Sequence, residues 1–229
     1  MSRGRRAQGR DSGYTRDVPE PPSSDERPPT LRAEQVAQTR GALIDAGRRL
    51  FGHQGFAATS VEDLARDARV TTGALYHHFA TKTALFETVF ESVHAELLEA
   101  SARSALEASD EVEFLARGLE AFLDAVLEPD VQQIIVTDAP AVLGLARFTE
   151  LDERYAFGPM VAALRAATAT GALRVEDPET LARLLFGALT RGAMLIAGSP
   201  DPESTRDAVA RTIRALVAGL AVNDGSADR

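Results

Sequence analysis

Between Thr71 and Lys82 the chain reads TTGALYHHFATK, a stretch dense in hydrogen-bonding side chains. The hydroxyls of Thr71 and Thr72, the phenol of Tyr76, the imidazoles of His77 and His78 and the ammonium of Lys82 suit phosphate groups and base edges. They do not suit catalysis. His77 and His78 are adjacent rather than four residues apart, so on a helix their rings diverge and cannot close on one metal ion. The chain contains no Cys, which removes disulfides, thiolate ligands and thiol nucleophiles. It carries no Ser-His-acid spacing signature and no phosphate loop. A protein that binds is expected, not an enzyme, with no catalytic residue, no cofactor and no metal.

These groups need a short helix to present them. A helix over about 72–79 would place Leu75, His78 and Phe79 on one side with Thr71, and Thr72, Gly73, Tyr76 and His77 on the other. The apolar anchors turn the first side to a core. The second offers polar groups and a glycine that admits close backbone approach, as suits a helix whose N-terminal part enters a DNA major groove. Two readings stay open for His78, a core histidine or a phosphate contact. Tyr76 could also pack between helices.

The preceding helix, about 60–68, starts at Ser60, with Asp63 placed to complete a capping box. Val61, Leu64, Ala65 and Ala68 form its buried face. Arg69-Val70-Thr71 is long enough only for a tight turn, so residues of about 60–79 form a helix-turn-helix. A first helix over about 33–53 carries Val36, Leu43, Ile44, Gly47, Leu50 and Phe51 on one stripe and stops at Gly55. Helix starts normally attract acidic residues. The third helix has none in its first turn, and the fourth opens with Lys82, a cation at the positive end of the dipole. A phosphate there would relieve the mismatch.

Charge is spread unevenly over the 229 residues, whose formal net charge is −9 with 24 Arg and a single Lys. Residues 1–32 balance to +2, hold five of the 11 Pro and almost nothing apolar, and are expected as a disordered tail. Arg3, Arg5, Arg6 and Arg10 within it are read as solvated, not as phosphate contacts. Residues 33–82 balance to +1 and residues 83–229 to −12, so the acidic total leaves a near-neutral segment free for nucleic acid. No apolar run approaches the roughly 18 residues of a membrane span, and the polar N-terminus is no signal peptide. A cytoplasmic protein without a membrane partner is expected.

The stretch TRGALIDAGRRLFGHQGFAATSVEDLARDARVTTGALYHHFATKTALF, residues 39–86, resembles the DNA-binding domain of the TetR family of bacterial transcriptional regulators. The resemblance implies an all-α fold, with an N-terminal three-helix helix-turn-helix domain and a C-terminal helical bundle for ligand binding and dimerisation. It implies phosphate contacts at Thr59 and Ser60, base reading by Thr71, Thr72, Gly73 and Ala74, phosphate and base contacts by Tyr76, His77 and His78, and a phosphate on Lys82. One departure stands out. The reading helix has no Arg, Gln or Asn for a bidentate base contact, so its operator sequence does not follow.

Beyond Lys82 the sequence reads as helices. A fourth spans about 82–105, a fifth about 110–127 and a sixth about 130–138. Pro140 opens a helical segment to Phe157, and Pro159 opens another to Ala169, each Pro at a helix start where its missing N–H is harmless. Residues 178–197 are apolar nearly all round, and residues 202–220 carry Val209, Ile213, Leu216, Val217 and Leu220 on one stripe. The resemblance makes these two the homodimer interface, which would space two reading helices for a palindromic duplex site. It also places a small-molecule effector, apolar or aromatic by default, inside the bundle. Candidate walls are Phe90, Phe122, Val126, Phe148, Tyr155, Phe157 and Met194, with Thr137, Asp138, Arg147 and Arg154 as polar anchors. The division expected is a tail at 1–32, a DNA-binding domain at 33–97 and a ligand and dimerisation domain at 98–229. The function expected is a repressor released by its effector. Alternatives are an activator of the same family, or a helical ligand-binding or adaptor protein with a vestigial head.

Overall fold

The structure, a computed structural model, describes residues 31–222. Most of the expected tail lies outside the described residues, but Leu31 and Arg32 open the first helix instead of belonging to it. The helices are α1 (Leu31–Ala58), α2 (Val61–Asp67), α3 (Thr72–His78), α4 (Lys82–Ala105), α5 (Glu111–Ala125), α6 (Pro129–Val131), α7 (Ala139–Leu143), α8 (Leu145–Asp152), α9 (Gly158–Ala169), α10 (Pro178–Ala197) and α11 (Pro202–Ala218). Two π-helical segments, Gln132–Asp138 and Glu153–Phe157, join α6 to α7 and α8 to α9. The fold is all-α. Among the described residues the one β-bridge is antiparallel, Leu173 to Ala221, and ties the segment after α11 to the loop before α10.

Side-chain caps fix most helix starts. Ser60, Thr71, Thr81, Asp110, Asp177 and Asp201 each accept a backbone N–H from the turn they open. The turn between α2 and α3 closes as a Schellman motif: Val70 N–H donates to Ala65 O at 2.9 Å and Arg69 N–H to Arg66 O at 3.1 Å. Arg69 pays for this with a left-handed φ of 57°. The head's core holds Leu43, Leu64, Leu75 and Phe79, closed by Phe51, Phe56 and Phe86, whose ring centroids lie 5.3–5.7 Å apart. Val36, placed on the same stripe by its spacing, is exposed, as are all of residues 31–38.

At Gly55 the first helix breaks as expected, but one more turn follows. Gly55 takes φ 81° and ψ 163°, a region open to glycine. The break deprives Phe56 N–H of its helical acceptor, and Asp138 Oδ2 from the body takes it at 2.7 Å.

The expected helix starts at Pro140 and Pro159 hold to within a residue, since α7 opens at Ala139 and α9 at Gly158, but no break in the helical run directly precedes either. Residues 129–143 and 145–169 are each continuous helical runs, parted at Gly144, whose φ is 77°. Each Pro is the second residue after a π segment. A proline inside a helix clashes with the carbonyl four residues back and donates nothing to it, and a wide π turn relieves both faults.

The apolar interior forms two clusters. One runs from the head along α4 through Phe90, Val93 and Leu97 to Ile134, Phe148 and Leu151. The other joins α5, α9, α10 and α11 around Leu123, Leu164, Leu189 and Ile213. By length and apolar composition α10 could cross a bilayer, contrary to the expectation of no such run. Arg183 and Arg191 interrupt it, however, and it packs against α5, α9 and α11. A Cβ on Gly192 would meet Val209 Cγ1 at 2.7 Å, so α10 and α11 touch closely there. Leu216, expected on the buried stripe of α11, is 55% exposed.

Candidate nucleic-acid interface and ligand cavity

On α3 the two expected faces separate cleanly. Leu75 and Phe79 are buried, while Thr72, Gly73, Tyr76 and His77 are exposed, Tyr76 by 53%. Tyr76 therefore does not pack between helices. Ala74 and His78 are half-buried at the edge, the His78 ring 5.6 Å from that of His77. Thr71 is corrected to the exposed side, because as N-cap it accepts Ala74 N–H at 3.1 Å. Arg40 from α1 covers the Phe79 ring at 5.0 Å, which anchors the far end of α3.

Of the expected phosphate contacts, one is buried and another is engaged in a helix cap. Thr59 is 1% exposed, and its hydroxyl donates to Gly55 O at 2.8 Å. Its side chain has no surface to offer, so that expectation is corrected. The Ser60 hydroxyl donates to Asp63 Oδ2 at 2.5 Å and accepts Asp63 N–H at 3.0 Å. The capping box is complete. Hydrogen bonds from Ser60, and then from Arg66, hold the Asp63 carboxyl below its ordinary pKa.

Lys82 turns back on the protein. Its Nζ donates to Phe56 O and to Thr59 O, both at 2.8 Å, and sits 4.0 Å above the Phe56 ring centroid. The expectation that this ammonium is held for phosphate is revised. It closes the corner between α1 and α2, and Asp138 holds the other side of the same residue, Phe56. The first turns of α3 and α4 contain no acidic residue, whereas α2 has Glu62 and Asp63 in its first turn.

In the body a cavity of about 410 Å³ lies between α4, α5, α9, α10 and the first π segment. Of the expected walls, Phe122, Phe148 and Met194 line it. The others do not. Phe90 and Val126 are wholly buried core residues. Thr137 is exposed and donates to Gln132 O, and Asp138 is committed to Phe56. Arg147 is bound to Glu87 and Glu150, which raise its pKa further. Arg154 pairs with Glu150 and Glu91, and Phe157 lies under Arg183. The Tyr155 hydroxyl donates to Glu91 at 3.3 Å, and burial raises its pKa. The spacing of apolar residues missed Phe114, Leu119, Ile135 and Met160, and above all His94 and Asp152. His94 is expected as an ordinary polar helix residue. It is instead 2% exposed, its Nε2 2.7 Å from Asp152 Oδ1. Nothing local marks this pair, which is 58 residues apart in sequence.

Known proteins match both parts. Residues 43–89 match the family described as "Bacterial regulatory proteins, tetR family", and residues 112–220 match "Tetracyclin repressor-like, C-terminal domain". A crystal structure of a TetR-family transcriptional regulator from Pectobacterium atrosepticum is 33% identical with a TM-score of 0.75, covering 83% of this chain and 97% of that one. The HTH-type transcriptional regulator TtgR of Pseudomonas putida is 35% identical over 105 residues, 44% of this chain and 49% of TtgR. The HTH-type transcriptional repressor KstR2 of Mycobacterium tuberculosis is 29% identical over 124 residues, 53% of this chain and 62% of KstR2. The matched stretch thus spans about half of TtgR and under two-thirds of KstR2. With the helix-turn-helix in place at one end and the matching helical body at the other, the chain belongs to the TetR family of bacterial transcriptional regulators.

Proposed function

We propose that the chain is a cytoplasmic, homodimeric repressor that leaves a palindromic operator when a small, mainly apolar molecule fills the body cavity. The observation that carries the reading is the exposed row Thr72, Gly73, Tyr76 and His77 on a helix whose other side is locked in the head core. Thr71 and Ala74 at its start and His78 at its edge complete the reading surface. Phosphates are assigned to the backbone N–H groups opening α4 and to Ser60's end of α2, with Lys82 and Thr59 acting from behind by holding the corner. Residues 33–97 form the DNA-binding part and 98–229 the effector and dimer part.

Dimerisation is supported by apolar residues left uncovered on the last two helices. Leu184 is 67% exposed, Leu195 48% and Leu216 55%. A second copy laying its own α10 and α11 on these would cover them and set two α3 helices about one DNA turn apart. Release then follows from linkage: a state that binds effector better and operator worse makes each ligand weaken the other.

Selection of DNA by the purified protein from a random pool tests this. A twofold-symmetric sequence is expected, bound less tightly as salt rises. Thr72→Ala is expected to change the selected sequence, not merely to weaken it. Failure to enrich any symmetric sequence would overturn the reading.

A further inference from the structure

His94 on α4 and Asp152 at the end of α8 are the buried ionisable pair in the wall of the cavity, where the exposed Glu99 is the third ionisable group, and the functions assigned so far make no use of the pair. Both are buried, 2% and 7% exposed. An ionised carboxylate can only accept, so the 2.7 Å contact assigns the ring proton to His94 Nε2. In the neutral ring Nδ1 is then the lone-pair acceptor. It is buried, and no hydrogen-bond partner reaches it among the described residues. The ring is held in place by Phe90 at 5.4 Å and Tyr155 at 5.6 Å, and the Tyr155 hydroxyl is turned away to Glu91. A buried acceptor without a donor is costly, and in a native wall it calls for a function.

We propose that His94 and Asp152 form the polar subsite of this cavity. Its ligand is a neutral, mainly hydrocarbon molecule that donates one hydroxyl, phenolic or alcoholic, to His94 Nδ1. The inference rests on the cavity being the effector site, and it narrows the effector from any apolar molecule to a hydroxyl donor. A carboxylate would meet the charge of Asp152. A methyl ether of the same skeleton would bring no proton and leave Nδ1 unsatisfied.

The test is calorimetric titration of the full-length protein with three biphenyls: the para-phenol, its methyl ether and the para-carboxylic acid. The phenol is expected to bind at least about tenfold more tightly than the ether, with the acid weakest. In the double variant His94→Leu/Asp152→Leu both polar groups leave together, so neither is stranded and the fold is kept. There the phenol-to-ether ratio is expected to fall to within about twofold while the ether still binds. A ratio unchanged by the double variant, or a wild type that prefers ether or acid, overturns the proposal. Gly118→Phe serves as the control for the cavity itself, because a Cβ there meets only ordinary contacts at 3.8 Å and 3.9 Å. Loss of all three probes in Gly118→Phe with an unchanged phenol-to-ether ratio in the double variant would sink the polar subsite alone. Probes that ignore Gly118→Phe, or that never bind, would sink the cavity as effector site and the subsite with it.

Discussion

The chain's only lysine does work that none of its 24 arginines could do. A compact ammonium reaches two carbonyls at 2.8 Å while sitting over the Phe56 ring, and a planar guanidinium cannot match all three at once. Lys82→Met should therefore lower stability by about 2 kcal/mol, for two charge-assisted hydrogen bonds at a half-buried site. DNA affinity should fall with the salt slope unchanged. A slope smaller by about one ion, measured by anisotropy titrations across salt, would return the ammonium to phosphate. Asp63 offers a second test. Its pKa is depressed in the folded chain, so the stability it confers is complete above the ordinary carboxylate value near 3.8 and is lost as pH falls through the lower folded value. Asp63→Asn should weaken the head at pH 7 and flatten the acid limb of its denaturation midpoints below about pH 4. Caps such as Ser60 and Asp63 were legible because partner and target lie three residues apart. Thr59 and Lys82 were placed at the right corner but on the wrong side of it, since their partners at Gly55 and Phe56 depend on a break whose angles no spacing reveals.

Among the elements, the helix-turn-helix was readable to within a residue or two because its caps and turn are local. The π segments were not. A widened turn leaves the apolar pattern nearly intact, and its cause, a proline two residues on, reads equally well as a helix start. The turn itself contains strain open to measurement. Arg69 is the one non-glycine residue with positive φ among the described residues. Arg69→Gly should raise the protein's stability by about 0.5–1 kcal/mol, less than the full left-handed penalty because glycine also loosens the unfolded chain. A thermal midpoint about 1–4 °C higher is the expected reading. No gain would mean that neighbouring contacts already absorb the strain.

At the scale of the molecule, an acidic body beneath a near-neutral head directs DNA to one end, since residues 83–229 balance to −12 and would repel it elsewhere. The body's arginines do not relieve this: Arg117, Arg147, Arg154, Arg206 and Arg214 each pair with Asp or Glu. The proposed dimer face is legible as a helix too apolar to stand alone, whereas the cavity's polar pair is not, because only the folded bundle brings α4 to the end of α8. Leu184→Asp together with Leu195→Asp should yield a monomer in sedimentation, with helix content kept and operator binding lost. A dimer that persists would place the interface elsewhere. The cavity rim carries a further meaning. Phe114 and Met194 line the cavity yet are 37% and 39% exposed, so its contents meet solvent past two side chains rather than through a closed wall. Side chains of that exposure turn over in picoseconds to nanoseconds, far faster than any unfolding of the bundle. Under the proposed function, a switch built this way has no latch in the time domain: the delay before a gene is silenced again would be set by the effector's own residence and dilution, with no memory of a signal that has gone.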